Sequence, residues 1–383
     1  MFTKILIANR GEIACRIIRT CQKLDIKTVA IYSTVDQQAL HVKLADEAVL
    51  IGEAPPHDSY LNMAKILDAA KQSGAQAIHP GYGFLSENAD FARLCQQAGI
   101  CFVGPTPDVI ESMGDKLRSR KLARKAGLPI LPGTDEAVAN DNAATKAWEL
   151  GFPLMVKAAE GGGGIGIHII ESQEELMPLI DRTRQVAESA FGSSRLFFER
   201  YLKGASHIEV QLIGDEHGNL LHLYERDCSV QRRNQKLVEE TPSKEKLSPQ
   251  LRRRICTLAT KLGKYIGYTS TGTVEFLVSV DGTVFFLEMN TRLQVEHGVT
   301  ELVTGLDLVE LQLRVAAGEA LPITQDEVSV NGHAIEVRVY PEDPETFMPD
   351  SGQITDLHQP EDKHIPVSYT HLRAHETLRY LVC

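Results

Sequence analysis

Over residues 4–104, short apolar runs alternate with stretches of helical period. Residues 4–8, 27–32, 48–51, 75–79 and 100–103 are the runs; between them 12–24, 60–73 and 88–98 repeat their apolar positions every three to four residues. This order predicts a parallel sheet covered by helices on both faces, a doubly wound α/β unit. The turn after the first run, Ala8-Asn-Arg-Gly11, carries one glycine where a dinucleotide fingerprint needs three, so no such cofactor is assigned. His79-Pro-Gly-Tyr-Gly-Phe-Leu-Ser-Glu-Asn88 is a glycine-rich loop at the carboxyl end of a run, where open sheets bind ligands. A structural turn reads equally well there.

Gly104-Pro-Thr-Pro107 punctuates the chain, and the pattern then changes. A basic helix over 117–126 follows Met113-Gly-Asp-Lys116, where Lys116 is either a phosphate contact or solvated surface. The strand at 152–157 ends in Lys157 and runs into Gly161, Gly162, Gly163 and Gly164. Glycines let backbone N–H groups close on phosphates without a Cβ in the way, so this is a candidate phosphate cradle and mobile lid. No Gly-Lys-Ser/Thr closes it, so it is not a P-loop. Strands are predicted at 168–170, 197–202, 207–213 and 221–226, the third with His207, Glu209 and Gln211 on one face. A dense polar segment spans 231–236, the basic run 252–254 is assigned to surface, and a helix over 302–317 closes the region. A last strand at 331–339 puts His333, Ile335, Val337 and Val339 on one side and Ala334, Glu336 and Arg338 on the other.

The chemistry concentrates in two strand-like runs flanking Asp281-Gly282, which predict a hairpin. The first sets Glu275 among apolar residues. The second, read as extended, places Glu288, Asn290, Arg292, Gln294 and Glu296 on one face and Met289, Thr291, Leu293 and Val295 on the other. Two carboxylates and an amide on facing strands repel unless a cation lies between them, and hard oxygen donors suit magnesium, which also takes phosphate oxygens. The pattern points to a magnesium–nucleotide site with Arg292 and Glu296 beside it for a second substrate. A solvated strand face is the bland alternative.

Composition narrows this. A net charge of -11 argues against non-specific nucleic-acid binding, which needs a basic face. Seven cysteines without a Cys-x-x-Cys spacing suggest neither zinc nor a disulfide framework, and so a reduced cytoplasm. No run is long and apolar enough to suggest a membrane span or signal peptide. At 383 residues there is room for two or three domains.

Five motifs together resemble biotin carboxylase, of the ATP-grasp superfamily: Ile7-Ala-Asn-Arg-Gly-Glu-Ile13, the 79–88 loop, Met113-Gly-Asp-Lys116, Glu225-Arg-Asp-Cys-Ser229 and Glu288-Met-Asn-Thr-Arg-Leu-Gln-Val-Glu-His297. The resemblance implies an N-terminal pre-ATP-grasp domain (1–113), an α+β ATP-grasp domain with a glycine-rich lid (114–327) and the start of an incomplete C-terminal α/β domain (328–365). It implies that ATP phosphorylates bicarbonate to carboxyphosphate, and that the carboxyl group passes to biotin on a carrier domain, the first half-reaction of an acyl-CoA carboxylase. Lys116, Lys157, Gly163 and Gly164 would then contact ATP phosphates, and Glu199, Leu202, His207, Gln231, Asn234 and Leu277 would line the nucleotide pocket. Glu275, Glu288 and Asn290 would hold two Mg2+ or Mn2+ ions. Lys236, Arg292, Gln294 and Val295 would hold bicarbonate, Glu296 would be the general base, and Arg338 would stabilise the biotin enolate. A carboxyltransferase partner and, at full length, a homodimer are implied too.

The chain departs from the family pattern at Glu160, where a small residue is usual, at Ile165, where a basic one is, and at Gly298, where proline is; the last is expected to loosen the loop carrying Glu296. From about Pro366 the sequence reads like a translated sequencing adapter, so 366–383 is assigned to a non-native tail. Low activity of this chain is the corresponding expectation. The competing readings are another ATP-grasp ligase, such as a carbamoyl-phosphate synthase, and a non-catalytic nucleotide-binding fragment.

Overall fold

The structure, a computed structural model, describes residues 1–161, 164–243, 247–350, 368–369 and 381–382. It opens with the expected parallel sheet, β1 (Lys4–Ile7), β2 (Lys27–Ser33), β3 (Glu47–Gly52), β4 (Ala77–His79) and β5 (Cys101–Phe102), in the order β3-β2-β1-β4-β5. Helices α1 (Gly11–Lys23), α2 (Leu40–Leu44), α3 (Met63–Ser73) and α4 (Ala89–Gln97) connect these strands. Both faces of β1 are covered: Ile5 and Ile7 pack with α1, and Leu6 packs with α3 and α4 residues such as Ile66 and Phe91. That is why the strands read as continuous apolar runs. Two helices start where their caps dictate. Asn62 and Asn88 accept hydrogen bonds from the backbone N–H groups of Lys65 and Phe91, so the helical pattern at 60–73 begins in fact at Met63.

Beyond α5 (Pro107–Gly114), α6 (Lys116–Lys125) and α7 (Ala143–Leu150) a small antiparallel sheet carries the glycine loop. Its strands are β6 (Leu154–Ala158), β7 (Ile167–Ile170) and, after α8 (Leu176–Phe191), β8 (Leu196–Arg200), in the order β7-β6-β8. The apolar spacing in α5, α7 and α8 had not singled them out as helices; α8 packs Leu176, Ile180 and Ala187 against β6 and β8 residues Val156 and Phe198.

The largest sheet follows. It holds β9 (Ser206–Gly214), β10 (Leu220–Arg232), β11 (Gln235–Thr241), then, after α9 (Pro249–Tyr265), β12 (Ser270–Val278) and β13 (Val284–Asn290). After α10 (His297–Thr304) and α11 (Leu308–Ala316), β14 (Ala334–Val339) joins it beside β11. The order is β13-β12-β9-β10-β11-β14-β16-β15, the last two being β15 (Ser368–Tyr369) and β16 (Leu381–Val382). Those two short pairs fall in the segment assigned to a non-native tail; the rest of 351–383 lies outside the described residues.

Three expectations change. The polar segment 231–236 is the tip of the β10–β11 hairpin, turned by Arg233 and Asn234 at positive φ. The helix expected over 302–317 is two helices: Gly305 ends α10 in the left-handed region, and Asp307 caps α11 by accepting from the Glu310 N–H. Arg252 is not plain surface, since its Nε donates to the buried Glu225 carboxylate at 2.7 Å. On β14 the predicted sides hold, but the inward side is the polar one: Glu336 is buried, whereas Ile335, Val337 and Val339 are exposed.

Candidate active site

Strict alternation in β9 and β12 builds the floor of the site. One face sends Ile208, Val210, Leu212, Val274 and Phe276 into a core with α9, and the other carries His207, Glu209, Gln211, Thr273 and Glu275. β13 needs a correction to simple alternation. Glu288 and Phe286 have the same parity, yet Phe286 is core and Glu288 faces the site. The register passes from Glu275 opposite Glu288 to Phe276 opposite Phe286, so a bulge at Leu287 re-aims the strand. Adjacent pairings then set Arg226, Glu209, Glu275 and Glu288 in one row across β10, β9, β12 and β13.

The extended reading of 288–296 holds only to Asn290. Residues 291–296 form a loop, and Glu296 stands at the N-terminus of α10. The loop still turns Arg292, Gln294, Val295 and Glu296 into the same cleft, of about 870 Å³. Lys116, Lys157, Gly164, Glu199, Leu202, His207, Gln231, Asn234, Lys236, Leu277, Arg338 and the trio Glu275, Glu288 and Asn290 line it too. Gly163 lies outside the described residues.

At the centre Lys236 Nζ lies 2.6 Å from Glu209, 3.0 Å from Glu275 and 2.7 Å from Glu296. Burial alone would lower the Lys236 pKa, but these three carboxylates raise it well above its usual value, so the ammonium is charged. Burial likewise pushes Glu296 up, yet Lys236, Arg338 and Arg226 together hold it well below the usual carboxylate range. Arg338 Nη2 is 2.8 Å from Glu296 and also pairs with the buried Glu239. Near Gly298, Glu296 is buried and held by Lys236 and Arg338.

Toward the glycine loop, Lys157 Nζ donates to Glu199 at 2.5 Å, and Glu199 also pairs with Arg120. Lys116 Nζ is 3.3 Å from Glu288 and donates to the Gly161 carbonyl. Gly164, at φ +74°, lies on the hairpin tip, where a Cβ would come within 2.8 Å of the Asn234 Cβ. Ile165 lines the cleft as an apolar residue, and Glu160 is held by Arg195 at 2.8 Å.

Glu275 and Glu288 are a hard-donor set, and Asn290 stands beside them with its side-chain oxygen accepting from Arg292 Nη2 at 3.0 Å. Glu275 also meets His207 Nε2 at 2.7 Å, and the Asn290 amide donates to it at 2.7 Å. The two opposed carboxylates, already drawing Lys116 and Lys236, fit divalent cations of the magnesium type.

Sequence reasoning missed Glu87, whose carboxylate takes Arg292 Nε at 2.7 Å and the Thr291 N–H at 3.0 Å. It also missed Glu209 and Arg226 as site residues. The signal for Glu209 was there, since three polar residues alternate on a strand whose other face is wholly apolar.

Comparison with known proteins now decides the family. Residues 1–110 match the biotin carboxylase N-terminal domain, and residues 115–324 match the ATP-binding domain of the carbamoyl-phosphate synthase L chain. A biotin carboxylase of Halalkalibacterium halodurans is 54% identical over 370 residues, spanning 96% of this chain and 82% of that protein. The chain belongs to the biotin carboxylase family. The biotin carboxylase of Haemophilus influenzae is 48% identical over 378 residues, 97% of this chain and 84% of that one. Among solved structures, the biotin carboxylase domain dimer of Hydrogenobacter thermophilus 2-oxoglutarate carboxylase, in complex with MgADP, ADP and bicarbonate, matches with a TM-score of 0.96 and 47% identity, over 100% of this chain and 86% of that one. A Campylobacter jejuni biotin carboxylase–nucleotide complex gives 0.95 and 41%, over 100% and 87%. No described helix is long and apolar enough to cross a membrane.

Proposed function

We propose that this biotin carboxylase uses ATP and bicarbonate to carboxylate biotin presented on a carrier domain, with the residues of the cleft in the following roles. The observation that carries the reading is Glu296 fixed between Lys236 and Arg338, with Arg292 and Gln294 on the same loop and the Glu275–Glu288 pair one step along the sheet. Lys116 and Lys157 neutralise nucleotide phosphates. Glu275, Glu288 and Asn290 hold magnesium or manganese, which when bound neutralises charge on the transferring phosphoryl group. Glu199, Leu202, His207, Gln231, Asn234 and Leu277 border the nucleotide, with Gly163 and Gly164 in the lid.

Bicarbonate binds between Lys236, Arg292, Gln294 and the Val295 backbone. Glu296, ionised at neutral pH, takes its proton. Once the anion engages Lys236, less positive charge is left to stabilise the Glu296 carboxylate, and its basicity rises as the proton must move. Arg338, held by Glu296 and Glu239, presents a guanidinium to the biotin ureido oxygen as negative charge develops there.

The chain divides into an N-terminal unit (1–113), an ATP-grasp unit (114–327) that supplies most of the cleft's lining, and the start of a third unit (328–365). The partners are a biotin carrier domain and a carboxyltransferase, and the assembly is a cytoplasmic homodimer. The Hydrogenobacter thermophilus domain named above is itself a dimer with bicarbonate bound. The test is ADP release measured with bicarbonate and free biotin supplied separately and together. Release that requires both supports the reading; release indifferent to bicarbonate overturns it in favour of another ATP-grasp ligase.

A further inference from the structure

Arg226 is the largest fully buried side chain among the described residues, at 0% exposure in the middle of β10. A guanidinium has five N–H donors, and here each has an acceptor. Nε donates to Glu209. Nη1 donates to Gln211 Oε1 at 2.8 Å and Thr300 Oγ1 at 3.0 Å, and Nη2 to Thr273 Oγ1 at 3.1 Å and Gln294 Oε1 at 2.8 Å. Two of these contacts leave the sheet and reach the catalytic segment. Gln294 lies on the loop just before Glu296, and Thr300 lies in α10, the helix that Glu296 opens.

The Gln294 contact has a chemical consequence. An amide offers an acceptor at one end and two donors at the other. Arg226 can only donate, so it claims the Gln294 oxygen and turns the NH2 group inward. That NH2 group donates to Glu275 Oε1 at 3.1 Å, and because Gln294 lines the cleft its second N–H is the donor we assign to an anion there. The flipped amide would set N–H against guanidinium N–H and oxygen against carboxylate, two repulsive contacts in a buried site. Glu209 extends the same logic, with one oxygen on Arg226 and the other 2.6 Å from Lys236.

We propose that Arg226 is a positioning residue for bicarbonate: it fixes Gln294 as a hydrogen-bond donor to the anion and ties the first turn of α10 to the sheet. This rests on the reading of the Lys236–Arg292–Gln294 pocket as the bicarbonate site. Arg226 is fully buried and does not line the cleft, so its loss acts on bicarbonate through Gln294 and leaves nucleotide affinity in place.

The test is isothermal titration of bicarbonate into the 383-residue chain saturated with MgADP, with MgADP affinity measured separately. Arg226→Lys keeps the charge and loses the fork. It is expected to weaken bicarbonate roughly tenfold, as for a lost buried hydrogen bond to a charged group, while MgADP binds as in the wild type. Gln294→Glu keeps an acceptor toward Arg226 but replaces the donor, and should weaken bicarbonate at least as much. Arg226→Lys combined with Gln294→Met should lose no more than Gln294→Met alone. Unchanged bicarbonate affinity in Arg226→Lys, multiplying losses in the double variant, or wild-type affinity in Gln294→Glu would each overturn the proposal. If Arg226→Lys fails to fold by circular dichroism, Gln294→Glu decides alone. A wild-type chain that binds MgADP but no bicarbonate defeats the underlying site reading, and this inference with it.

Discussion

Glu87 and Arg292, 205 residues apart in the chain, meet at 2.7 Å, and the same Glu87 carboxylate accepts the N–H of Thr291. The glycine-rich loop of the first sheet thus holds the 291–296 loop that follows β13. Replacing Glu87 by Ala removes the charged anchor of Arg292, leaving its bonds to Leu293 O and Asn290 Oδ1, and should weaken bicarbonate about five- to tenfold, in line with the loss of a charge-assisted hydrogen bond. Glu87→Gln, which keeps the acceptor without the charge, should fall between. Bicarbonate titration of the two variants checks the order; an unaffected Glu87→Ala would show that the clamp is not needed.

The opposed Glu275 and Glu288 carboxylates make a separable prediction. Glu275→Gln and Glu288→Gln should each weaken MgATP by at least about tenfold, a loss seen even for outer-shell partners of a metal. Adding a chelator to the wild type should do the same. Calorimetry with and without magnesium distinguishes loss of metal affinity from loss of nucleotide contacts.

For Glu296→Gln we expect bicarbonate-dependent turnover to fall by at least about a hundredfold, the usual contribution of a general base. MgADP affinity should persist. Because the Glu296 pKa is lowered in the folded protein, its contribution to stability is present above the unfolded carboxylate pKa and is lost as pH falls through the folded value. Glu296→Gln should therefore flatten part of the acid limb of a plot of Tm against pH.

Glu239 behaves in the opposite sense. It stands directly across from Glu336 on β14, and both carboxyls are buried. Burial first, then repulsion from Glu296, raises the Glu239 pKa from 4.5 to about 7, against the pull of Arg338 and Lys236. A raised pKa contributes stability that is fully present below 4.5 and is lost as pH climbs through about 7. The wild type should lose on the order of 2 kcal/mol between pH 5 and 8 from this group, and Glu239→Gln should lose less. Thermal unfolding at the two pH values measures the difference.

The hairpin that carries the metal-type carboxylates was readable because both strands alternate and Asp281-Gly282 supplies the turn; the observed register sets Glu275 opposite Glu288. The bulge at Leu287 was not readable, because one extra residue in a strand leaves composition unchanged and shifts only parity. The same limit hid the end of the strand at Asn290: the loop at 291–296 keeps an alternating spelling without an extended backbone. α8 passed unnoticed because its buried stripe, Leu176, Ile180, Thr183 and Ala187, includes a threonine and an alanine and so carries a weak apolar signal.

By itself, the order of residues determined the parallel sheet, the hairpin and the kinds of side chain available for phosphate, cation and anion. Those depend on period and residue type, which are local properties. Tertiary structure alone decided that Glu87 meets Arg292, that Arg226 turns the Gln294 amide, and that Lys236 stands among three carboxylates. Such contacts join strands and loops far apart in the chain, and burial gives them their strength, since a charge removed from water is held only by the partners the fold places around it.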